Sequence, residues 1–397
     1  MRKYAKCIMH GLSPYFLKVF FFFFIIVYVF GSQSADCATK KRYWGKSQGA
    51  STSMPFYKPV KCKRVSLWNK QLESPEMIWG TSNGIVLVKT WSKTIALDIE
   101  TGKQLWDSYS ASHVWFLAKE YILVRWEKEY PLFSILRLKD GEEVWRNFNE
   151  PLIKGYDAEG YVAESKIILR KADMWVCFDW NIRKIIWEKE NPSFSIEKCS
   201  TNFLAGYKTT TVNGKDSIAL TVISSSTGNE MFSIPQEIRG FITVDEKGVV
   251  LLVNDPNCNI TPSPNLCYSI KTYDSGGKIL WNKILQSNYI PSISADNKMV
   301  YLLSVSLNGN KTLHAFDRGN GETSWACEDD SFKAAKNPEI FDNVIIALPL
   351  VIRNDGKVFY VAKQKAATTY DACYSDGVLV VLNDCKLAGI NLQHCFR

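Results

Sequence analysis

The sequence predicts an all-β protein, a β-propeller of four-stranded blades, and three observations carry that expectation. A unit whose clearest form ends in Gly-x-x-x-Trp recurs six times, strand-length apolar runs alternate with turn dipeptides, and helical periodicity is weak after residue 60. Self-similarity at a period of about 40 to 50 residues marks units that cannot bury their own faces and must stack on copies of themselves.

The clearest unit is Ala-Leu-Asp-Ile-Glu-Thr-Gly-Lys-Gln-Leu-Trp, from Ala96 to Trp106. The copies ending at Trp145 and Trp325 keep Gly four residues before Trp. The copy ending at Trp187 has Arg183 in place of Gly, another ends in Phe232, and the one ending at Trp281 is a residue shorter between its Asp and its Gly. Terminal aromatics at 106, 145, 187, 232, 281 and 325 are spaced 39 to 49 residues apart, room for four short strands. Within the unit, alternating Ile95, Leu97 and Ile99 mark a strand. The Asp-to-Gly stretch turns the chain, and Leu105-Trp106 opens the returning strand. Asp98, Asp179, Asp274 and Asp317 are therefore expected to open turns, and Trp106, Trp145, Trp187, Trp281 and Trp325 to pack between blades.

The two ends of the repeat region complement each other. A segment around Trp68 resembles the last strand of a unit with no hairpin before it, whereas the C-terminal segment supplies strand runs near 344–348, 357–361 and 378–382 but ends in Leu387 to Leu392, which lacks the aromatic signature. An N-terminal strand closing the ring would give seven blades, with eight as the alternative. The expected organisation is a targeting segment over 1–35, a basic linker over 36–61 and the propeller over 62–397.

The targeting segment rests on a basic start, the unbroken apolar run Val19 to Phe30, and small polar residues to Ala35. That is the grammar of a signal peptide, or of a signal anchor if the apolar run is retained. It places the chain in the periplasm, outside the cell or in the ER lumen, with membrane attachment through residues 15–30 as the other outcome. Cys37 follows Ser34, Ala35 and Asp36, which is no lipoprotein signal. The net charge of +8 reflects Lys and Arg crowded before residue 50, so the body is near balance and a nucleic-acid partner is not expected. Of 11 cysteines, one lies in the basic start, leaving an even number that suits disulfides in an oxidising compartment. The candidates are Cys258 with Cys267, which bracket a Pro- and Asn-rich loop, and Cys373 with Cys385. No Cys-x-x-Cys occurs and the four histidines lie far apart, so no metal site is expected. Asn259 and Asn310 head Asn-x-Thr patterns, candidate glycan acceptors in a eukaryotic host.

The pattern Ala-Leu-Asp-x-x-Thr-Gly-Lys-x-x-Trp, intact at Ala96 to Trp106, resembles the repeat of the quinoprotein-like (PQQ-like) β-propellers, and the likeness covers nearly the whole chain after about residue 62. Members of that superfamily include calcium- and pyrroloquinoline-quinone-dependent dehydrogenases, cofactor-free BamB-like outer-membrane assembly factors, and lumenal sensors or membrane-complex subunits. In size the chain is nearest the BamB-like members. A dehydrogenase of this kind commonly carries a disulfide between adjacent cysteines, and no Cys-Cys pair is present. The repeat already accounts for the Asp and Trp residues that a quinone site would require. No Gly-x-Ser-x-Gly elbow occurs, and Gly319-x-Gly321 falls in a repeat hairpin.

The expectation is therefore a monomeric, non-enzymatic scaffold without a cofactor, binding a protein or envelope partner. A quinoprotein dehydrogenase and a lumenal sensor or membrane-complex subunit are the alternatives. Function should lie where the repeat breaks, in loops over a rigid frame. Trp91, His113, Trp115 and Trp126 are the candidate partner contacts, followed by Trp175, Trp180 and the loop between Cys258 and Cys267.

Overall fold

A run such as Ile85-Val86-Leu87-Val88 has no polar face, so the strand it forms must be covered on both sides. Ile85 and Leu87 pack with Ala111, Ile122 and Val124 of the blade that follows, while Val86 and Val88 pack with Cys373, Val378 and Val380 of the blade on the other side. The same division of odd and even positions organises the rest of the chain. The computed structural model describes residues 65–393, leaving aside 118, 127–132, 147–156, 172–173, 191–192, 213–214, 255–266, 307–308, 330–331, 333–337, 342–343, 348–349, 354–355, 357, 361–369 and 384. The expected targeting segment and basic linker lie outside the described residues.

Eight antiparallel four-stranded sheets follow one another. Blade 1 spans 75–109, blade 2 111–146, blade 3 157–190, blade 4 194–236, blade 5 241–286, blade 6 292–328 and blade 7 339–360. Blade 8 is formed by Tyr370–Ser375, Val378–Asn383 and Lys386–Asn391, with Val65–Gln71 paired to the last of these as its outer strand. Eight clusters of buried side chains each bridge two neighbours, and the cluster of Val86, Leu97, Cys373 and Val380 joins blade 8 to blade 1. The first strands of successive blades approach one another around the centre.

The expected count of seven is corrected to eight. The runs near 344–348 and 357–361 belong to blade 7 and the run near 378–382 to blade 8. Blade 7 was hidden because its strands are only three or four residues long, and its outer strand brings an aromatic, Phe359, three rather than four residues after its glycine, Gly356.

The recurring aromatic does its work across the blade seam. Trp106 of blade 1 donates its Nε1–H to the carbonyl of Leu138 in the hairpin of blade 2, at 2.7 Å. Its ring lies under Gly141, where an added β-carbon would come within 2.7 Å of Cδ2. Trp68 on Ile99, Trp187 on Ser225 and Trp281 on Arg318 repeat the bond at 2.9, 2.9 and 3.0 Å, beneath Gly102, Gly228 and Gly321. Asp98, Asp179, Asp274 and Asp317 open the hairpins by accepting backbone N–H groups just ahead of them, as at Thr101 N (2.8 Å) and Gly319 N (2.8 Å).

The seam between blades 2 and 3 departs from the pattern. Arg183 holds the glycine position at φ 52°, and its guanidinium lies 4.9 Å from the Trp180 ring. Trp145 there packs on Phe178 and Trp180, with its buried Nε1 lacking a hydrogen-bond partner. Between blades 5 and 6, fully buried Arg318 donates from Nε to Asp245 at 2.9 Å, and Asp245 also accepts from Lys247 N and Gly248 N.

Gly141→Ala combines a backbone penalty of about 1–2 kcal/mol at φ +73° with a collision against an indole, whereas Gly84 has the same φ with open space around it. Chemical denaturation should therefore show Gly141→Ala costing about 1–3 kcal/mol more than Gly84→Ala. Equal losses would mean that the glycine serves only the turn. Asp245→Ala strands a buried guanidinium, and the same measurement should show a loss of about 3–5 kcal/mol.

Candidate functional site

Blades 1 and 2 are joined by the Trp106 dock, and above it the seam opens into a cleft of about 580 Å³. Blade 1 contributes Trp91 and Ser92 from the turn between its second and third strands, and Ser108, Tyr109 and Ser110 from the end of its outer strand. Blade 2 contributes Trp126, Leu136, Gly141, Glu143 and Arg146. The cleft thus shares Gly141 with the dock.

The backbone under these side chains is tied down. Trp91 N donates to Ser74 O at 3.1 Å, and Thr90 Oγ1 closes the turn on both Lys93 N and Lys93 O. Trp91 and Tyr109 are nevertheless 78% and 79% exposed, well beyond the other large apolar side chains described. Large aromatic rings standing in water at one cleft are unusual where so many others were buried. Trp126 is half-buried, its Nε1 donating to Ser134 Oγ at 2.9 Å. Arg146 donates from Nε and Nη2 to the two oxygens of Glu143 at 2.8 and 2.6 Å, a bidentate pair. Ser110 Oγ is buried and has no hydrogen-bond partner.

Trp91 and Trp126 are brought together here. His113 and Trp115 are elsewhere, stacked on each other at 5.4 Å on the first strand of blade 2. Burial, with the Arg125 guanidinium and the Lys89 ammonium nearby, pushes the His113 imidazole below its ordinary pKa. Trp115 leans on Phe133 and joins the core between blades 2 and 3. Trp175 and Trp180, also read as departures from the repeat, are 2% and 8% exposed and serve packing. Tyr109, Ser110 and Arg146 were missed. The available signal was Tyr109, three residues past the repeat Trp and on the opposite side of the outer strand.

The cysteine expectations divide. Cys267 is disulfide-bonded, and Cys258, its expected partner, lies outside the described residues, as does Asn259. Asn310 is half-buried in the turn before Lys311–Asp317, its N–H donating to Ser306 Oγ at 3.1 Å. The pairing of Cys373 with Cys385 is corrected, because both thiols are free. Cys373 is buried in the core between blades 8 and 1, three residues along its strand from the end nearest the turn that holds Cys385. That is about 10 Å, more than a disulfide spans.

A second cavity, about 690 Å³, lies against the first strands of blades 7, 8, 1 and 2 and includes Glu76, Glu339, Asp371 and Cys373. These side chains do not form a cation cage. Asp371 accepts Ile78 N at 2.6 Å, Glu76 pairs with Lys89 at 2.9 Å, and among the described residues no three His, Cys, Asp or Glu side chains converge. A calcium-held quinone of the kind used by the superfamily's dehydrogenases therefore does not fit the donors present. Nor is there an activated nucleophile among the buried thiols. Burial pushes Cys177 and Cys327 up to about 12 and Cys373 well above its ordinary value, opposite to the shift that reactivity requires.

A comparison with curated protein sequences finds no match. Among solved structures, the chain is similar to BamB from Moraxella catarrhalis, with 14% identity over 84% of this chain and 99% of that one and a TM-score of 0.45. It is also similar to quinohemoprotein alcohol dehydrogenase from Comamonas testosteroni, with 11% identity over 85% and 78% of the two chains and a TM-score of 0.51, a likeness of fold. A family model described as outer membrane protein assembly factor BamB matches residues 92–327. With more than half of its length matched, the chain belongs to that family, within the PQQ-like β-propellers.

Proposed function

We propose that the chain is an exported, non-enzymatic propeller that binds a protein partner of the cell envelope through the cleft between blades 1 and 2. The observation that carries this reading is the exposure of Trp91 and Tyr109 at one cleft, in a protein that buries most of its aromatic repeat positions. Tryptophan and tyrosine dominate the energetics of protein interfaces, because each buries a large rigid surface at small entropic cost. Export follows from the apolar run Val19 to Phe30 behind a basic start. The family's description as an assembly factor favours an assembly partner over a metabolite.

A photo-crosslinking residue at Tyr109, expressed in the native compartment, should capture a discrete protein, while the same residue at Glu100 in a blade 1 hairpin should not. Capture at neither position, or equally at both, would remove the cleft from the function. Incubation with Ca²⁺ and pyrroloquinoline quinone should give no stoichiometric binding. A bound cofactor with alcohol-dependent dye reduction would replace the scaffold with an oxidoreductase.

A further inference from the structure

We infer that the end of blade 5 on one face of the ring rests on the uncharged headgroup layer of a lipid bilayer, with Ile238, Phe241, Tyr289 and Ile290 dipping into its apolar boundary. Strands of a blade alternate in direction, so the turn between the second and third strands and the connection to the next blade share one face, and the two remaining turns share the other. The most exposed aromatic side chains among the described residues, Trp91, Tyr109, Phe241 and Tyr289, all stand on the first of these faces. Trp91 and Tyr109 belong to the cleft. Phe241 opens the first strand of blade 5 and Tyr289 follows its last, four places round the ring, so they need an occupant of their own. Ile238 lies in the connection leading into Phe241, and Ile290 stands beside Tyr289. Tyr289, Ile290 and Phe241 are 64, 55 and 52% exposed, large apolar groups left mostly in water.

The backbone holds these side chains out. Tyr207 Oη accepts Gly240 N at 2.7 Å and donates to Gly240 O at 3.0 Å, which fixes the connection between Ile238 and Phe241. Beyond the outer strand, Asn288 N donates to Val305 O at 2.6 Å and Asn288 Nδ2 to Ser306 O at 2.7 Å, and Pro291 restricts the chain just after Ile290. Apolar groups kept in water in this way mark a protein or a membrane contact, and charge distinguishes the two. At this end the charged neighbours of Ile238 are Glu237 and Arg239, of opposite sign, whereas the turns of blade 5 on the other face expose Glu246, Lys247 and Lys278. A phosphatidylcholine surface has no net charge and suits a neutral end that combines isoleucine and phenylalanine with tyrosine, whose ring is apolar and whose hydroxyl stays among the headgroups. The same chain carries the apolar run Val19 to Phe30. Residues 31–64 can span about 110 Å when extended, enough for either face of the ring to reach a membrane that the run enters.

The test adds the intact chain to phosphatidylcholine vesicles, with a photo-crosslinking residue at Tyr289 or at Ile182, and reads phospholipid adducts by mass. Ile182 is the matched control, 57% exposed in the blade 3 hairpin on the opposite face. Tyr289 should give an adduct at about ten times the yield of Ile182 or more. The apolar run can hold the chain at a vesicle but cannot choose a face, so equal yields, or no adduct at Tyr289, overturn the inference. Ile290→Asp should cut the Tyr289 adduct by about tenfold, and an unchanged melting temperature confirms that the fold survives a change at so exposed a position. Replacing part of the phosphatidylcholine with an anionic lipid should leave the yield unchanged, and a marked rise would replace apolar contact with charge attraction. In the native compartment, capture of a discrete protein at Tyr289 in place of lipid also overturns the inference. Protein capture at Tyr109 and lipid capture at Tyr289 succeed or fail separately, so the cleft reading stands apart from this one.

Discussion

The structure depends on one contact, an indole lying beneath a glycine of the neighbouring hairpin and donating to a carbonyl of the same turn. A four-stranded blade buries neither face alone, so its stability belongs to the seam. The dock fixes that seam by joining the outer strand of one blade to the hairpin of the next. It requires a glycine with positive φ, because a side chain there would occupy the ring's place, and an aromatic with an N–H at the right height. Asp at the start of the hairpin sets the turn that presents both. Residues that could pass for a catalytic Asp or a cofactor-stacking Trp are thereby engaged in holding blades together. The link between blades 8 and 1 has the same form, although Trp68 comes from the opposite end of the chain from the strands beside it.

Where the contact is altered, other interactions stand in for it. At the seam of blades 2 and 3, Arg183 removes the glycine, Trp145 loses its hydrogen bond, and a larger aromatic group of Trp145, Phe178 and Trp180 supplies area in exchange. Phe232 keeps the ring beneath Gly277 but has no N–H to give. The next seam keeps its indole and adds the buried Arg318 and Asp245 pair, whose hydrogen bonds to Asp245 restrict it to one geometry. The ring tolerates such exchanges because each seam is an independent interface with its own cluster.

Sequence made blades 1 to 6 legible for a local reason, since the hairpin, its Asp, its Gly and its aromatic are all contained in about eleven residues. Blade 7 has no such passage. Its strands, among them Glu339–Phe341 and Val358–Tyr360, are shorter than a periodicity argument needs, and only the neighbours on each side define them as a blade. The cleft was half legible. Trp91 and Trp126 stood out because the repeat does not require them. Trp175 and Trp180 stood out equally and are buried, because exposure depends on what the adjoining blade places over a residue. Tyr109 and Arg146 lie in different blades, and nothing in the linear order brings them to one wall.

The placement of the cleft gives the dock a second consequence. Gly141 belongs to the wall of the cleft and to the seat of Trp106, so one hairpin both walls the cleft and joins the two blades that form it. Trp91 and Tyr109 stand on the blade 1 wall of the cleft, and Trp126 and Arg146 on the blade 2 wall. A seam loosened at Trp106 is therefore expected to separate the two walls before it disturbs either blade. The shape of the cleft is thus a property of the joint: the walls stay in place because the indole beneath them is held, and the residues that line them are free to differ from the repeat because the residues below them do not.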